Sequence, residues 1–488
     1  MIGRRRAAGG FFVPVALLSA AAIFAVSLTA FAQTGVAPDA VVGEATAIED
    51  AEGKLPEGGE PPPVLPPPAF ARYKHALPDF LLQTKREGRY FTPMPIVGFD
   101  PDTGFNLGAM ANIFDNGKKT DPLFRYAPYR QQIMAAALVT SRNLIQIGAY
   151  YDQPYLMDTP WRVRAEMEFL RNPVQNYFGI GSAGQQLVSP WTGAVFGSYS
   201  GYKDNLNQVV AGQTYGKYDE YRLGRVAFQG SAEYDLVGGL IRPLVGIRVA
   251  RVWIHDYTGS GVNGGVELPT HLSVDCASGS AVGCSGGFDN YVKLGFTFDT
   301  RNFEPDPSTG ILHQTALELS PKFLGSAFNY GRITSSLAGY GTLLDSGVQR
   351  VVLSARFLYN WQFGDVPFYA MNTMAMNERD RFGLGGLRTL HGYKQDRFIG
   401  PVMMLANMDM RWRFAQFEVF KQDIKLMAVP FFDAGRAFDR NGDVSFANWK
   451  LAGGVGLRLA WNLSTIVDFD YGVSPEGSAF YMDLSHPF

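Results

Sequence analysis

Beyond residue 32 the chain has no uninterrupted apolar run long enough to cross a bilayer as a helix. It also has no stretch of helical periodicity that could cover a sheet. With the secretory signal expected over 1–32, this leaves a secreted chain or a membrane barrel. Charge of one sign is missing as well: 43 Lys and Arg stand against 45 Asp and Glu, a formal net charge of −2. No nucleic-acid partner is expected from such a balance. Cysteine is limited to Cys276 and Cys284, and the six histidines are scattered. Even with His271 nearby, the two thiols fall short of the four ligands of a structural zinc, so no metal is expected and no cofactor. A Gly-x-Ser-x-Gly elbow, a Walker loop and a His-Glu-x-x-His helix are all lacking. Gly179-Ile180-Gly181-Ser182-Ala183-Gly184 has the dinucleotide spacing but opens no helix of a strand–helix–strand unit, and is read as coincidence. The chain is not expected to be an enzyme.

What is present is alternation. Trp161, Val163, Ala165, Met167 and Phe169 are apolar, while Arg162, Arg164, Glu166 and Glu168 between them are all charged. A strand turns successive side chains to opposite faces, so one face suits lipid and the other water. The pattern recurs at 225–234, 291–299, 353–362, 404–414 and 454–461. Arg225, Glu233, Arg356, Arg411, Arg413, Arg458, Asp468 and Asp470 join the inward set, where mixed signs point to a hydrated wall more than to a selectivity path. Segments of about ten residues that alternate in this way are the signature of a transmembrane β-barrel. About 400 residues, at roughly 25 per strand and loop, predict an all-β antiparallel barrel of about 16 strands over residues 90–488. Positions 171–220 offer no clear strand. An even count puts both barrel ends on the periplasmic side.

The flanks are read separately. Arg4 to Arg6, the apolar stretch Phe11 to Ser27 and Ala30-Phe31-Ala32 predict a signal peptide over 1–32, with an uncleaved anchor as the other reading. Residues 33–89 are rich in Pro and Gly, with Pro61-Pro62-Pro63 and Pro66-Pro67-Pro68, and are expected to be a disordered periplasmic tether. Docking of that tether to a periplasmic partner is the sharper alternative. Cys276 and Cys284 lie in a Gly/Ser-rich stretch between strands. In an oxidising compartment they are expected to pair within one extracellular loop, free thiols being the other reading. The last segment, Phe480, Met482, Leu484, His486 and Phe488, ends on an aromatic residue, as bacterial outer-membrane barrels typically do.

One segment is more specific. Gly364-Asp365-Val366-Pro367-Phe368, followed by Gly385-Gly386-Leu387-Arg388-Thr389-Leu390-His391-Gly392-Tyr393, resembles the sixth extracellular loop of the BamA/TamA-type surface-antigen superfamily of outer-membrane barrels. Asn407 to Trp412, Phe431-Phe432-Asp433-Ala434-Gly435-Arg436, Asp299-Thr300-Arg301 and Gly454 to Arg458 resemble motifs of the same family, in its order. So do Pro95 to Pro101 and Asn176 to Gly181. The resemblance implies an outer-membrane protein that inserts or translocates proteins or lipids. The route would be a seam between a first strand near Thr103 to Phe114 and a last strand at Ser478 to Phe488. Outer-membrane lipids and client proteins are the implied partners. A passive porin or a structural barrel is the alternative. The short, proline-heavy 33–89 leaves no pattern for the POTRA domain that relatives use to gather clients. In relatives the loop folds inward and its arginine meets carboxylates on the next strands. Here His391 replaces that arginine, and Asp409 and Asp433 are the partners by position. Arg388 or Arg397 offers a second cation for the same acids.

Overall fold

The structure, a computed structural model, describes residues 66–77, 82, 85–304, 306–347, 349–374, 376, 381–419, 422–461 and 465–484. The expected signal peptide, most of the tether, Pro487 and Phe488 lie outside these residues. Sixteen long strands and the three-residue piece Gly286–Phe288 form one 17-stranded sheet. The long strands are β1 (Arg89–Asp100), β2 (Gly104–Asp115), β3 (Gln131–Thr140), β4 (Ile145–Gln153), β5 (Trp161–Asn176), β6 (Glu220–Tyr234), β7 (Ile241–His255) and β8 (Tyr291–Asp299). They continue as β9 (Gly310–Ser320), β10 (Tyr330–Asp345), β11 (Arg350–Gly364), β12 (Val402–Val419), β13 (Gln422–Phe438), β14 (Lys450–Trp461), β15 (Thr465–Ser474) and β16 (Gly477–Leu484). Each pairs antiparallel with the next.

The alternation dictates the two faces. Along β3, Ile133 and Val139 are exposed on the outside while Gln132, Met134, Ala136 and Leu138 are buried inside. Phe91, Leu107, Ile147, Met167, Leu337, Phe357, Met408 and Val455 continue the outer apolar belt. On the inner face, charges meet their opposites across strands. Arg162 pairs with Asp152, Arg164 with Glu233, Arg225 with Glu168, Lys293 and Arg332 with Glu318, and Arg458 with Asp468 and Asp470. A buried ion needs such a partner, because burial otherwise strips its hydration without return.

The first strand departs from the expectation. The expected first strand, Thr103 to Phe114, corresponds to β2 (Gly104–Asp115), and β1 precedes it. Pro93 and Pro95 broke the strand pattern in the sequence. The weak region also resolves: β5 runs to Asn176, and 177–219 is a loop carrying helix α1 (Tyr199–Leu206), capped by Ser198. A second helix, α2 (His271–Ser278), capped by Thr270, carries Cys276 in its last turn, disulfide-bonded to Cys284. Neither eight-residue helix is long enough to show a periodicity against its loop background. The long loops 177–219, 256–290 and 365–401 share one rim. Their side chains fill that half of the lumen: Tyr177, Phe368, Met371 and Ile399 pack with Ile96, Met134, Leu138 and Leu170 of the wall.

The last part of the expected tether is not an unpacked chain. A short turn of helix, Ala69–Ala71, docks beneath the opposite rim, with Ala71 buried against Leu123, Ala127 and Tyr155. The Tyr73 N–H donates to Gly238 O at 2.9 Å, and Lys74 pairs with Asp235 at 2.9 Å. Lys85, 3% exposed, donates to the carbonyls of Phe124 and Ala127 at 2.8 and 2.7 Å. Polyproline signalled an extended chain, and the apolar and cationic anchors that follow it override that signal. Lys85→Met leaves two buried carbonyls without their ammonium donor, a cost of about 2 kcal/mol. Limited proteolysis is expected to cut the variant between residues 66 and 88 under conditions that spare the native chain.

Candidate functional site

The inward loop is built on tight turns. Gly385 and Gly392 take φ of +119° and +81°, a region that L side chains rarely enter. A Cβ on Gly392 would also stand 2.8 Å from Ser474 N. These turns bring Leu384, Leu390, Tyr393 and Phe398 into a buried cluster with Leu358, Met403, Leu405 and Ala437 of the wall. Thr389 Oγ1 closes the base of the loop on Gly383, at 2.9 Å, and accepts the Gly385 N–H at 2.8 Å. Gly386 lies in the same turn, with φ of +86°.

His391 enters the wall, 3% exposed. Its Nδ1 lies 2.6 Å from Asp433 Oδ2, and its backbone N–H donates to the same oxygen at 3.2 Å. Asn407 Nδ2 bridges Asp433 Oδ1 at 2.6 Å and Thr389 O at 2.9 Å. The imidazole lies against Phe431 and edge-on to Tyr481, with Nε2 3.9 Å from Asp470. Gly472 makes room: a Cβ there would come within 2.4 Å of the His391 Cβ. Asp409 is not a partner of His391. Its Oδ1 accepts from Arg411 at 3.0 Å and from Ser354, because Asp409 sits two residues farther down β12 than Asn407. Asp470 of β15 takes the second acidic position beside the ring.

Arg397 does not join Asp433. Arg388 is buried, its charge acts on Asp468, and its carbonyl accepts from Arg356 at 3.2 Å. Arg397, fully buried, pairs with Glu476 in the β15–β16 turn, Nε to Oε2 2.7 Å and Nη2 to Oε1 2.9 Å. Three residues earlier, Lys394 reaches Asp102 in the β1–β2 turn at 2.8 Å, and the Gln395 N–H donates to Asp102 at 3.2 Å. Burial pushes the Asp102 carboxyl up, but Lys394 outweighs it and holds the group below its ordinary value. Tyr481 of β16 receives the Gly392 N–H at 3.0 Å, and Ser474 donates to Gly392 O at 3.0 Å. The loop tip therefore grips the first hairpin with one hand and the last hairpin with the other. Among the described residues β1 and β16 lie side by side with no hydrogen-bonded ladder between them. Phe480 of β16 is exposed on the outer face and Met482 is buried, while Leu484 ends the strand.

A profile of the Omp85 superfamily domain matches residues 197–484, from the loop before α1 through β16. The chain belongs to the Omp85 superfamily. This places the protein in the bacterial outer membrane, where short turns face the periplasm and long loops the exterior. A second profile, a domain of unknown function (DUF5982), matches residues 68–130, the docked segment through β2. The outer membrane protein assembly factor BamA of Nitratidesulfovibrio vulgaris is 28% identical over 180 residues, 34% of this chain. The chain spans a fifth of the length of that curated relative. Among solved structures, BamA from Haemophilus ducreyi lacking POTRA domains 1–3 has a TM-score of 0.51 at 12% identity, covering 82% of this chain and 70% of that one. That likeness speaks for the fold alone. CdiB from Escherichia coli, at 10% identity and a TM-score of 0.48, covers 82% of this chain and 62% of its own, and carries no argument.

Sequence reading of this Omp85 chain missed Asn407, Gly472, Tyr481, Asp102, Lys394 and Glu476. A glycine on a strand that alternates otherwise was the available signal for Gly472. The others are ordinary polar residues until the fold brings them together. His391→Ala removes a hydrogen bond to a buried carboxylate, a loss of about 2 kcal/mol. Thermal unfolding and protease access at residues 383–398 are expected to register it, whereas Arg at 391, facing Asp433 and Asp470, is expected to keep the loop docked.

Asp396 adds a pH dependence. Burial pushes its carboxyl up to about 7, although it accepts from Gly383 N, Asn372 and Gln175. The folded state thus holds a proton that the unfolded chain has already released. Its stabilisation is complete below about pH 4 and is lost as pH rises through 7. Hydrogen exchange at residues 383–398 is expected to quicken from pH 5 to pH 8 in the native protein. The slope attributable to Asp396 is the part that Asp396→Asn removes; an unchanged slope would contradict the assignment.

Proposed function

We propose that this Omp85 protein inserts or translocates amphiphilic cargo, protein or lipid, at the outer membrane through the seam between β1 and β16, with the inward loop as the latch that holds the seam. The observation that carries this reading is the double grip of one loop: Lys394 and Gln395 on Asp102 of the first hairpin, Arg397 on Glu476 of the last. A latch across a seam acts by differential contact. Its bonds exist in the closed state and are lost when the two hairpins separate. The buried ion pairs stiffen each hairpin against its own neighbours, so separation concentrates at the β1–β16 boundary, which shows no ladder among the described residues. Client proteins, membrane lipids and a periplasmic partner reached through the proline-rich segment are the partners this reading calls for.

The passive channel is the competing reading, since 16 strands enclose a lumen wide enough for solutes. The aromatic and aliphatic packing of the loops against Ile96, Met134 and Leu138 opposes it. Planar-bilayer conductance separates the two. The native barrel is expected to conduct little, and deletion of residues 387–397 to raise conductance sharply. Large, steady conductance in both would sink the latch. In vesicles, Asp102→Asn is expected to speed cargo movement over the native rate, because Lys394 loses its charged partner.

A further inference from the structure

The seam edge of β1 is chemically incomplete. In an antiparallel pair, residues alternate between those bonded to the neighbour and those facing away. The backbone oxygens of Phe105 and Asp115 in β2 accept from Ser141 and Arg130 on the β3 side. Odd-numbered β2 residues therefore face β3. Their partners on β1 are also odd: Phe99 lies opposite Phe105, and Arg89 opposite Asp115. The odd positions of β1, which include Phe91, Pro93, Pro95, Val97 and Phe99, consequently direct their backbone at the seam. Pro93 and Pro95, opposite Ala111 and Ala109 in an unbroken pairing, have no N–H to offer there. Two successive donors are missing from the middle of the edge that β1 presents to the seam.

A strand added to this edge would hold two carbonyls in lipid with no donor opposite them, which a bilayer penalises heavily. Prolines on an exposed edge are a known guard against strand addition. A lipid makes no such demand. Its chains need an apolar outer surface, which Phe91, Phe99, Phe105 and Leu107 supply. Its headgroup needs a polar path without a fixed charge that would trap it. Between their ends, β1, β2 and β3 contain no Lys, Arg, Asp or Glu, whereas β12, β14 and β15 carry ion pairs. The inner wall on the β1 side of the seam offers Thr92, Asn112 and Gln132 instead.

Building on the seam reading above, we infer that Pro93 and Pro95 bar strand templating on β1, and that the cargo of the seam is a membrane phospholipid.

The test uses the full-length protein in phosphatidylethanolamine–phosphatidylglycerol vesicles. One arm follows dithionite quenching of an NBD-labelled phosphatidylethanolamine. The other follows folding of a urea-unfolded eight-stranded outer-membrane barrel into the same vesicles. The native protein is expected to speed lipid movement over protein-free vesicles and to leave barrel folding unchanged. The double variant Pro93→Val, Pro95→Val supplies two donors and closes the seam, so lipid movement is expected to fall roughly tenfold or more. Heat-modifiable gel mobility checks that the variant is folded. Barrel folding accelerated by the native protein, alone or with lipid movement, overturns the inference while the seam remains in use. Neither process accelerated overturns both the inference and the seam function. Lipid movement untouched in the folded variant overturns the role of the prolines.

Discussion

A bilayer offers the backbone no hydrogen-bonding partner, so a barrel must satisfy every N–H and C=O from within. Fifteen of the strand boundaries here do so by antiparallel ladders, three of them interrupted by a register shift. The sixteenth boundary, where β1 meets β16, shows no ladder among the described residues. The burden of closing the barrel passes to side chains, and the inward loop carries it. Its tip is placed by the positive-φ turn at Gly392, seated by the absence of a side chain at Gly472, and tied to both hairpins by charge.

The site is therefore a balance of local commitments. His391 fixes the loop to β13 through Asp433, Arg397 and Tyr481 fix it to the last hairpin, and Lys394 alone supplies the charge that reaches the first. Removing the loop would open the upper lumen and the seam together, since the same residues that plug one bridge the other. This coupling separates the molecule from a simple pore, whose constriction and wall are independent.

Much of the fold was legible because a strand's period of two is a strong signal wherever one face meets lipid and the other ion pairs, as along Trp161 to Phe169. Legibility failed where that contrast faded. β1 was overlooked because Pro93 and Pro95 interrupt it and no charge alternates along it. The docked segment before it was taken for tether because prolines dominate its start, while Ala71, Lys74 and Lys85 owe their anchoring to the rim they meet. At the site, Gly385, Gly392, His391 and Asp433 stand out as a motif. Asp409 was misassigned because the motif gives strand order and not depth, and a shift of two residues along β12 hands its role to Asn407. Asp102 and Glu476 lie 374 residues apart in sequence, and no local pattern announces that one loop holds both.

The central claim is that β1 turns an unpaired edge to the seam. Residue-resolved amide exchange of the barrel in lipid nanodiscs tests it most directly. Thr92, Ile96 and Gly98 are expected to be protected by β2, while the N–H groups of Phe91, Val97 and Phe99 exchange much faster, an alternation along one strand. Equal, strong protection at odd and even positions would show a closed ladder to β16 and contradict the account.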